Sequence, residues 1–277
     1  MSYNNLQADC GKCFGLCCVA LYFSAAEGFP INKDAGRPCI NLQDDFRCSV
    51  HNDLMKKGLK GCRAYDCLGA GQRVVQVTYC GYHDWRQSQE TAKEMFEVFI
   101  IMRQLHEMLW YLMEALTLEF EQDMKDKINS KINEIENLTH LSASSLIKLD
   151  LIVTRVGVNA LLLQTSELVR KKVLNNRTVS LKYKKTFGGG LDLIGKDLRK
   201  QNFRGANLSG SYIIAANLKG VDLSFVDLLG ADLRDADLSG ANLSKSIYLT
   251  QAQVNTAKGD VNTKLPNYIV RPMHWSK

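Results

Sequence analysis

Residues 216–240 read ANLKG VDLSF VDLLG ADLRD ADLSG, five residues at a time around a leucine. The phase runs on through Leu193, Leu198, Phe203, Leu208 and Ile213 upstream and Leu243 downstream. With Leu218, Leu223, Leu228, Leu233 and Leu238 it holds eleven times. The residue before each centre is Asp or Asn except at Tyr212, and the residue two before is small at Ala206, Ala216, Ala231, Ala236 and Ala241. A period of five fits neither the 3.6-residue helix nor the two-residue strand. It fits a chain wound into a solenoid whose flat faces each take one repeat.

The pattern A-(D/N)-L-x-x resembles that of the pentapeptide-repeat family. The resemblance implies a right-handed quadrilateral β-helix, with the central residue and the small residue two before it pointing inward. Four repeats make a coil in that family, so eleven give just under three coils. Lys196 and Gln201 depart at the small position, and the first coil is therefore expected to be irregular. Solenoid ends need caps against edge pairing. Residues 250–257 (TQAQVNTA) read as a short capping helix with Thr250 as N-cap and Gly259 just beyond its end. Residues 265–275 then form an extended arm whose Trp275 should dock on protein, because an exposed indole leaves a large apolar area in water.

Cys10, Cys13, Cys17, Cys18, Cys39, Cys48, Cys62 and Cys67 put eight cysteines into 58 residues, four of them in one C-x2-C-x3-C-C run. Packing alone seldom requires such density. The chain starts MSYNNLQADC, with no charged segment leading into an apolar one. Disulfides of an oxidising compartment therefore fit less well than metal ligation, and a cytoplasmic location is expected. Zinc and iron–sulfur clusters both take thiolates, and eight match two closed four-sulfur sites or one four-iron cluster plus a second ion. The order C-x2-C-x3-C-C, Pro38-Cys39-x2-Leu42, Phe46-Arg47-Cys48-Ser49-Val50-His51 and Gly61-Cys62-Arg63 is similar to a zinc- or iron-chelating cysteine-rich family found in many bacteria. The similarity spans residues 8–70 and implies a bound metal or an iron–sulfur cluster. His51 and His83 stand in C-x2-H spacings that zinc tolerates, although a hydrogen-bonded surface histidine is the plainer reading of each. Cys80 lies outside the block and reads as structural.

No Gly or Pro occurs between Gly81 and Gly157, so long helices follow the cysteines. Residues 84–87 (DWRQ) read as a capping box. Met95, Val98, Met102, Leu105, Leu109, Leu112 and Leu116 then form a heptad seam, with Phe99, His106, Trp110 and Met113 as a second stripe. Residues 121–137 read as a solvated extension carrying Glu121/Lys125 and Asp123/Lys127 pairs and sparse Met124, Ile128, Ile132 and Ile135. A turn near residues 139–145 leads to a second helix with Leu146, Leu149, Val153, Val156, Ala160 and Leu163. An antiparallel hairpin doubled by a second copy, a homodimer, is expected from the surplus of apolar face. His106 and His140 read as hydrogen-bonded rather than ligating.

The fold class expected is thus multidomain α+β. A cysteine-rich metal domain (1–83) is followed by a helical hairpin or coiled coil (84–187), the pentapeptide-repeat β-helix (188–249) and a capping helix with arm (250–277). Unbroken apolar runs, such as residues 98–102, are far short of the roughly 20 residues of a membrane span. The net charge of +6 is outweighed by seven bases between Leu168 and Leu191, where no acid occurs. Arg170, Lys171 and Lys172 suit a helix C-terminus, and only Tyr183 is interleaved, so neither nucleic acid nor membrane is expected as a partner. Gly188-Gly189-Gly190 lacks the Lys-Ser/Thr of a phosphate loop and reads as a flexible junction. No H-E-x-x-H, G-x-S-x-G or Rossmann glycine pattern is present, and no catalytic residue is assigned.

Three functions remain: a metal-binding interaction or scaffold protein with an unidentified protein partner, an iron–sulfur enzyme or electron-transfer accessory, and a topoisomerase-interacting protein. The first is favoured. Seven acids balance seven bases over residues 191–245, and three coils stacked at a strand spacing of about 4.8 Å span only about 15 Å. Imitation of a DNA duplex is therefore not expected.

Overall fold

The computed structural model describes residues 3–175, 179 and 181–275. The chain forms two compact units, Met1–Leu161 and Leu162–Lys277. The cysteine-bearing segment and most of the helical segment, separate in the sequence-based division, thus fall within one unit.

In the first unit three short helices, α1 (Leu16–Ala20), α2 (Lys60–Ala64) and α3 (Ala70–Arg73), punctuate the cysteine-bearing loops, and α3 runs on into a π turn, Val74–Thr78. The long helix α4 (Gln89–Leu116) follows. Its N-cap is Ser88, whose hydroxyl accepts the Thr91 N–H at 3.1 Å. Asp84 instead closes a turn onto the Arg86 N–H at 2.7 Å, so the expected capping box at residues 84–87 is corrected to a helix starting later. Met95, Val98, Met102, Leu105, Leu109 and Leu112 are all fully buried, as are Phe99 and His106. The heptad seam is thus covered within the chain, by α1 and α3 on the cysteine side and by the two helices that follow.

Thr117 ends α4 by turning its hydroxyl onto the Glu114 carbonyl at 2.7 Å. After four more residues α5 (Gln122–Leu138) returns against α4 and buries Met124, Ile128, Ile132 and Ile135. The stretch read as a solvated extension is therefore the antiparallel partner itself, since four apolar residues at helical spacing suffice for one narrow seam. Next come α6 (Ala143–Ile147), capped by Ser142, and α7 (Leu151–Val173), whose first turn is capped by Asp150 Oδ1 at 2.9 and 3.2 Å from the N–H groups of Ile152 and Val153. The break at residues 148–150 resets the helical phase. Leu146 and Val158 are buried, whereas Val153 and Val156, expected on the same stripe, are 68% and 63% exposed. Among the described residues no helix is long and apolar enough to cross a membrane.

The second unit is the solenoid, held by four columns of isolated parallel bridges rather than by extended strands. The columns run Asp192–Tyr212–Asp232, Asp197–Asn217–Asp237, Asp222–Asn242 and Asn207–Asp227–Ile247, with a step of 20 residues. One coil is therefore four repeats. All eleven repeat centres are at most 1% exposed. The Asp or Asn before a centre acts within its own repeat. Its side-chain oxygen accepts the N–H two residues on, at 3.0 Å for Asn207 to Ser209 and 2.9 Å for Asp227 to Leu229. This closes each corner turn. The last residue of most repeats is left-handed, which suits Gly210 (φ 61°) and is imposed on Ala215, Phe225 and Asp235 (φ 55–60°). In the first coil Leu193 and Leu198 are buried as elsewhere, and the irregularity lies at Asn202, which makes no bridge.

The C-terminal part of α7 packs on this unit, where Ser166 donates to the buried Asp227 carboxylate at 2.5 Å and the Tyr248 hydroxyl donates to the Leu162 carbonyl at 3.2 Å. At the far end α8 (Gln251–Thr256) has Thr250 as N-cap with a reciprocal Gln253 contact. Lys258 and Lys264 then rejoin the ladder beside Asp237 and Asn242. Trp275 is fully buried, its Nε1 donating to the Ala257 carbonyl at 3.1 Å and its ring lying on Gly259, where a Cβ would sit 2.5 Å from it.

Candidate functional site: the cysteine-bearing loops

The local sequence brings the cysteines together through main-chain ties. Gly15 is left-handed (φ 65°), and a Cβ there would lie 2.6 Å from the Leu42 side chain, so the turn that launches α1 sits directly on the Cys39–Cys48 loop. Cys39 donates its N–H to the Cys18 carbonyl at 3.0 Å, and an antiparallel bridge joins Leu42 to Cys48. Gly61 anchors α2 by its N–H to the Gly28 carbonyl at 2.9 Å. At the other side the N-terminal segment lies on α3. Gln72 accepts the Asp9 N–H at 2.5 Å and donates to the Gln7 carbonyl at 3.0 Å, and Gln76 donates to the Lys12 carbonyl at 3.2 Å. Phe14, Phe46 and Trp85 close the outside, with the Arg86 guanidinium 4.0 Å from the Phe46 ring centre.

Main-chain N–H groups two residues ahead favour the thiolate at four of the sulfurs: Gly15 for Cys13, Asn41 for Cys39, Val50 for Cys48 and Gly69 for Cys67. Cys13 takes a second from Leu16 and Cys67 a second from Gly71. Such donors favour the thiolate. Burial opposes them, pushing Cys13 and Cys62 up to about 12 and raising Cys10, Cys39, Cys48 and Cys67, and the neighbouring sulfurs raise most of them further. The Cys17 and Cys18 sulfurs are 3.9 Å apart and either can donate to the other; the proton they share raises Cys17 and lowers Cys18. Lys33 adds a buried cation. Its ammonium donates to the carbonyls of Val19, Leu21 and Asp34 and its charge favours the Cys18 and Cys39 thiolates.

The eight cysteines thus influence one another electrostatically, and only Cys17 and Cys18 lie in sulfur–sulfur contact among the described residues. Among the described residues no three His, Cys, Asp or Glu side chains converge on a single point as ligands would. The donor set nevertheless suits a soft metal: thiols that burial holds protonated lose that proton to a cation, and the N–H groups are already aimed at the sulfurs. When bound there, a zinc ion would cross-link the loops and an iron–sulfur cluster would in addition carry electrons.

The other candidates stand apart. Cys80 is exposed with a left-handed φ of 54°, and its thiol faces the Val77 carbonyl. His51 is exposed in a 3-10 turn, and His83 Nδ1 is 3.0 Å from Gln87 Oε1, the hydrogen-bonded alternative. His106 Nδ1 is 2.6 Å from the Leu68 carbonyl, and His140 is exposed. Lys33 and Gly71 went unread in the sequence. Gly71 matters because a Cβ there would lie 2.6 Å from Cys13 Sγ, a requirement that only the fold reveals.

Three likenesses to other proteins bear on this chain. The family described as pentapeptide repeats matches in eight copies over residues 189–219 and 216–247. A crystal structure of a pentapeptide repeat protein, Rfr23, from the cyanobacterium Cyanothece 51142 is 31% identical with a TM-score of 0.20, over 23% of this chain and 43% of that one. The "Uncharacterized protein YybG" of Bacillus subtilis (strain 168) is 56% identical over 271 residues, which is 98% of this chain and 95% of that protein. At that identity over nearly the whole of both sequences, the chain belongs to the same family as Bacillus subtilis YybG, and in this chain the pentapeptide repeats lie within residues 189–247.

Proposed function

We propose that this protein binds metal, as zinc or as an iron–sulfur cluster, through Cys10, Cys13, Cys17, Cys18, Cys39, Cys48, Cys62 and Cys67, and presents its short β-helix as a surface for a protein partner. Two features support the reading: the eight cysteines feel one another's charge, and main-chain N–H groups two residues ahead favour the thiolates of Cys13, Cys39, Cys48 and Cys67. That arrangement lowers the cost of holding several negative sulfurs together, which only a cation makes worthwhile. The metal serves to fix the loops over α1 and α3. Two copies associate through the exposed apolar face of α7, where Ile152, Val153 and Val156 are 76%, 68% and 63% exposed.

The test is metal and sulfide analysis with an absorption spectrum on protein purified without oxygen. Zinc in stoichiometric amount, or iron with acid-labile sulfide and visible absorption, is the expected result. Full-length folded protein that carries neither, and takes up neither on reconstitution, overturns the proposal.

A further inference from the structure

The last turn of α7, a hairpin after it and the first corner of the solenoid enclose a cleft of about 440 Å³, a size that suits a small ligand. All of it lies within the second unit. On the helix side Leu174, whose N–H donates to the Arg170 carbonyl at 3.0 Å, lies against Gly205, where a Cβ would come 3.1 Å from the leucine. In the hairpin Lys185 bridges Leu191 and Thr186 donates its N–H to the Gly190 carbonyl at 2.6 Å, so the glycines expected to form a flexible junction make a turn instead. The solenoid side is an open edge. Asp227 donates its N–H to the Ala206 carbonyl of the coil before it, whereas Asn207, the first of that column, has no coil before it to receive its own.

Three bases, Arg170, Lys171 and Lys185, line the cleft against one acid, Glu167, which is paired with Lys171 at 2.8 Å. The helix macrodipole does not account for Lys185, which lies well past the end of α7 at Val173. Arg170 is pre-set. Its Nε donates to Ser166 Oγ at 3.1 Å, and Ser166 donates to the buried Asp227 carboxylate, while the two terminal nitrogens of the guanidinium have no protein acceptor among the described residues. Asp227 lies behind Ser166 and off the cleft, so it fixes Arg170 without filling its fork. A planar fork held at one edge and free at the other suits two oxygens of an oxyanion. We infer that this cleft binds a small phosphate monoester, with the phosphate on Arg170, Lys185 and Asn207 and the ester group on Leu174 and Leu191. Three separate donor groups match the three terminal oxygens of a phosphate, which carries about two negative charges near neutral pH, better than the two oxygens and single charge of a carboxylate. Ser166 is a positioning residue that acts through Arg170.

Calorimetric titration of the full chain with phenyl phosphate tests this. Saturable one-to-one binding is expected, with Kd raised about tenfold or more by Arg170→Gln and by Lys185→Gln. Lys185 is exposed and makes no ion pair among the described residues, so that variant leaves the fold intact. Arg170→Lys should also weaken binding, because it keeps the charge and loses the fork. Benzoate offers the same ring with a carboxylate and inorganic phosphate the same head without the ring, and each should bind more weakly than phenyl phosphate. The inference is overturned by phenyl phosphate that fails to saturate at millimolar concentration, by binding that neither Gln variant weakens, or by benzoate or inorganic phosphate binding as tightly.

Discussion

Gly71 and His106 show how much of this protein's behaviour rests on single atoms. Replacing Gly71 by Ala places a methyl group 2.6 Å from Cys13 Sγ, and the sulfur, at the free end of its side chain, must give way. Gly71→Ala should therefore cost metal affinity, at least about tenfold by competition with a chelator (about 1.4 kcal/mol), while the helix α3 itself gains from Ala. Unchanged affinity would show that Cys13 is not a ligand. His106 is fully buried with Nδ1 on the Leu68 carbonyl, and burial, assisted by the nearby Arg73 charge, pushes its pKa down to about 4. A histidine lowered from its unfolded value of about 6.5 stabilises the folded state above that value. That stability is lost as pH falls from 6.5 toward 4, because the unfolded chain takes the proton first. About 2 kcal/mol should disappear between pH 7 and pH 5. Urea titrations of the native chain and of His106→Leu at the two pH values measure it: the native curve should shift more than the variant's.

The elements differ in how legible they are, and the reason is physical. A solenoid turn is closed by residues within five positions, so the spacing of Leu218 from Leu223 and of Asn217 from Lys219 already contains the coil, the inward core and the corner. Leu218→Ala leaves a cavity with no mobile neighbour to fill it and should cost about 2–5 kcal/mol in thermal or denaturant unfolding of the second unit. Cap residues were equally readable at Thr250, whose partner Gln253 is three residues away. The helices of the first unit were not, since their partners are distant in sequence. The three-residue break at 148–150 shifted which face of α7 is buried, and no local signal distinguishes Val153, exposed, from Val158, buried. The cysteines were legible as a group because density alone marks them, but the need for glycine at Gly71 beside Cys13 depends on loop ties between distant residues, as from Gln72 to Gln7. The exposed face of α7 now carries the expectation of a dimer in place of the α4 seam. Ile152→Glu with Val156→Glu should halve the mass measured by light scattering at micromolar concentration, and a native chain that is already monomeric refutes the association.

At the scale of the whole molecule, the two units draw on different sources of order. The first has a helical core on α4 with cysteine-bearing loops whose thiols repel one another once ionised, the second eleven buried centres and a local hydrogen bond at most of its corners. Chelation should consequently remove hydrogen-exchange protection from residues 8–80 and leave it intact over residues 191–249, as read by mass spectrometry of peptides. Equal loss in both would mean that the order of the second unit depends on the metal. The return of Lys258 and Lys264 to the ladder after α8 has a consequence for how such a chain lengthens through evolution. The last coil is completed by residues that are not repeats, so new repeats cannot simply be appended at its end. A single inserted repeat would turn everything downstream by a quarter revolution and carry α8 and the Trp275 latch to the wrong side. Duplications in multiples of 20 residues keep every downstream contact in register, and surviving relatives should differ in length by whole coils.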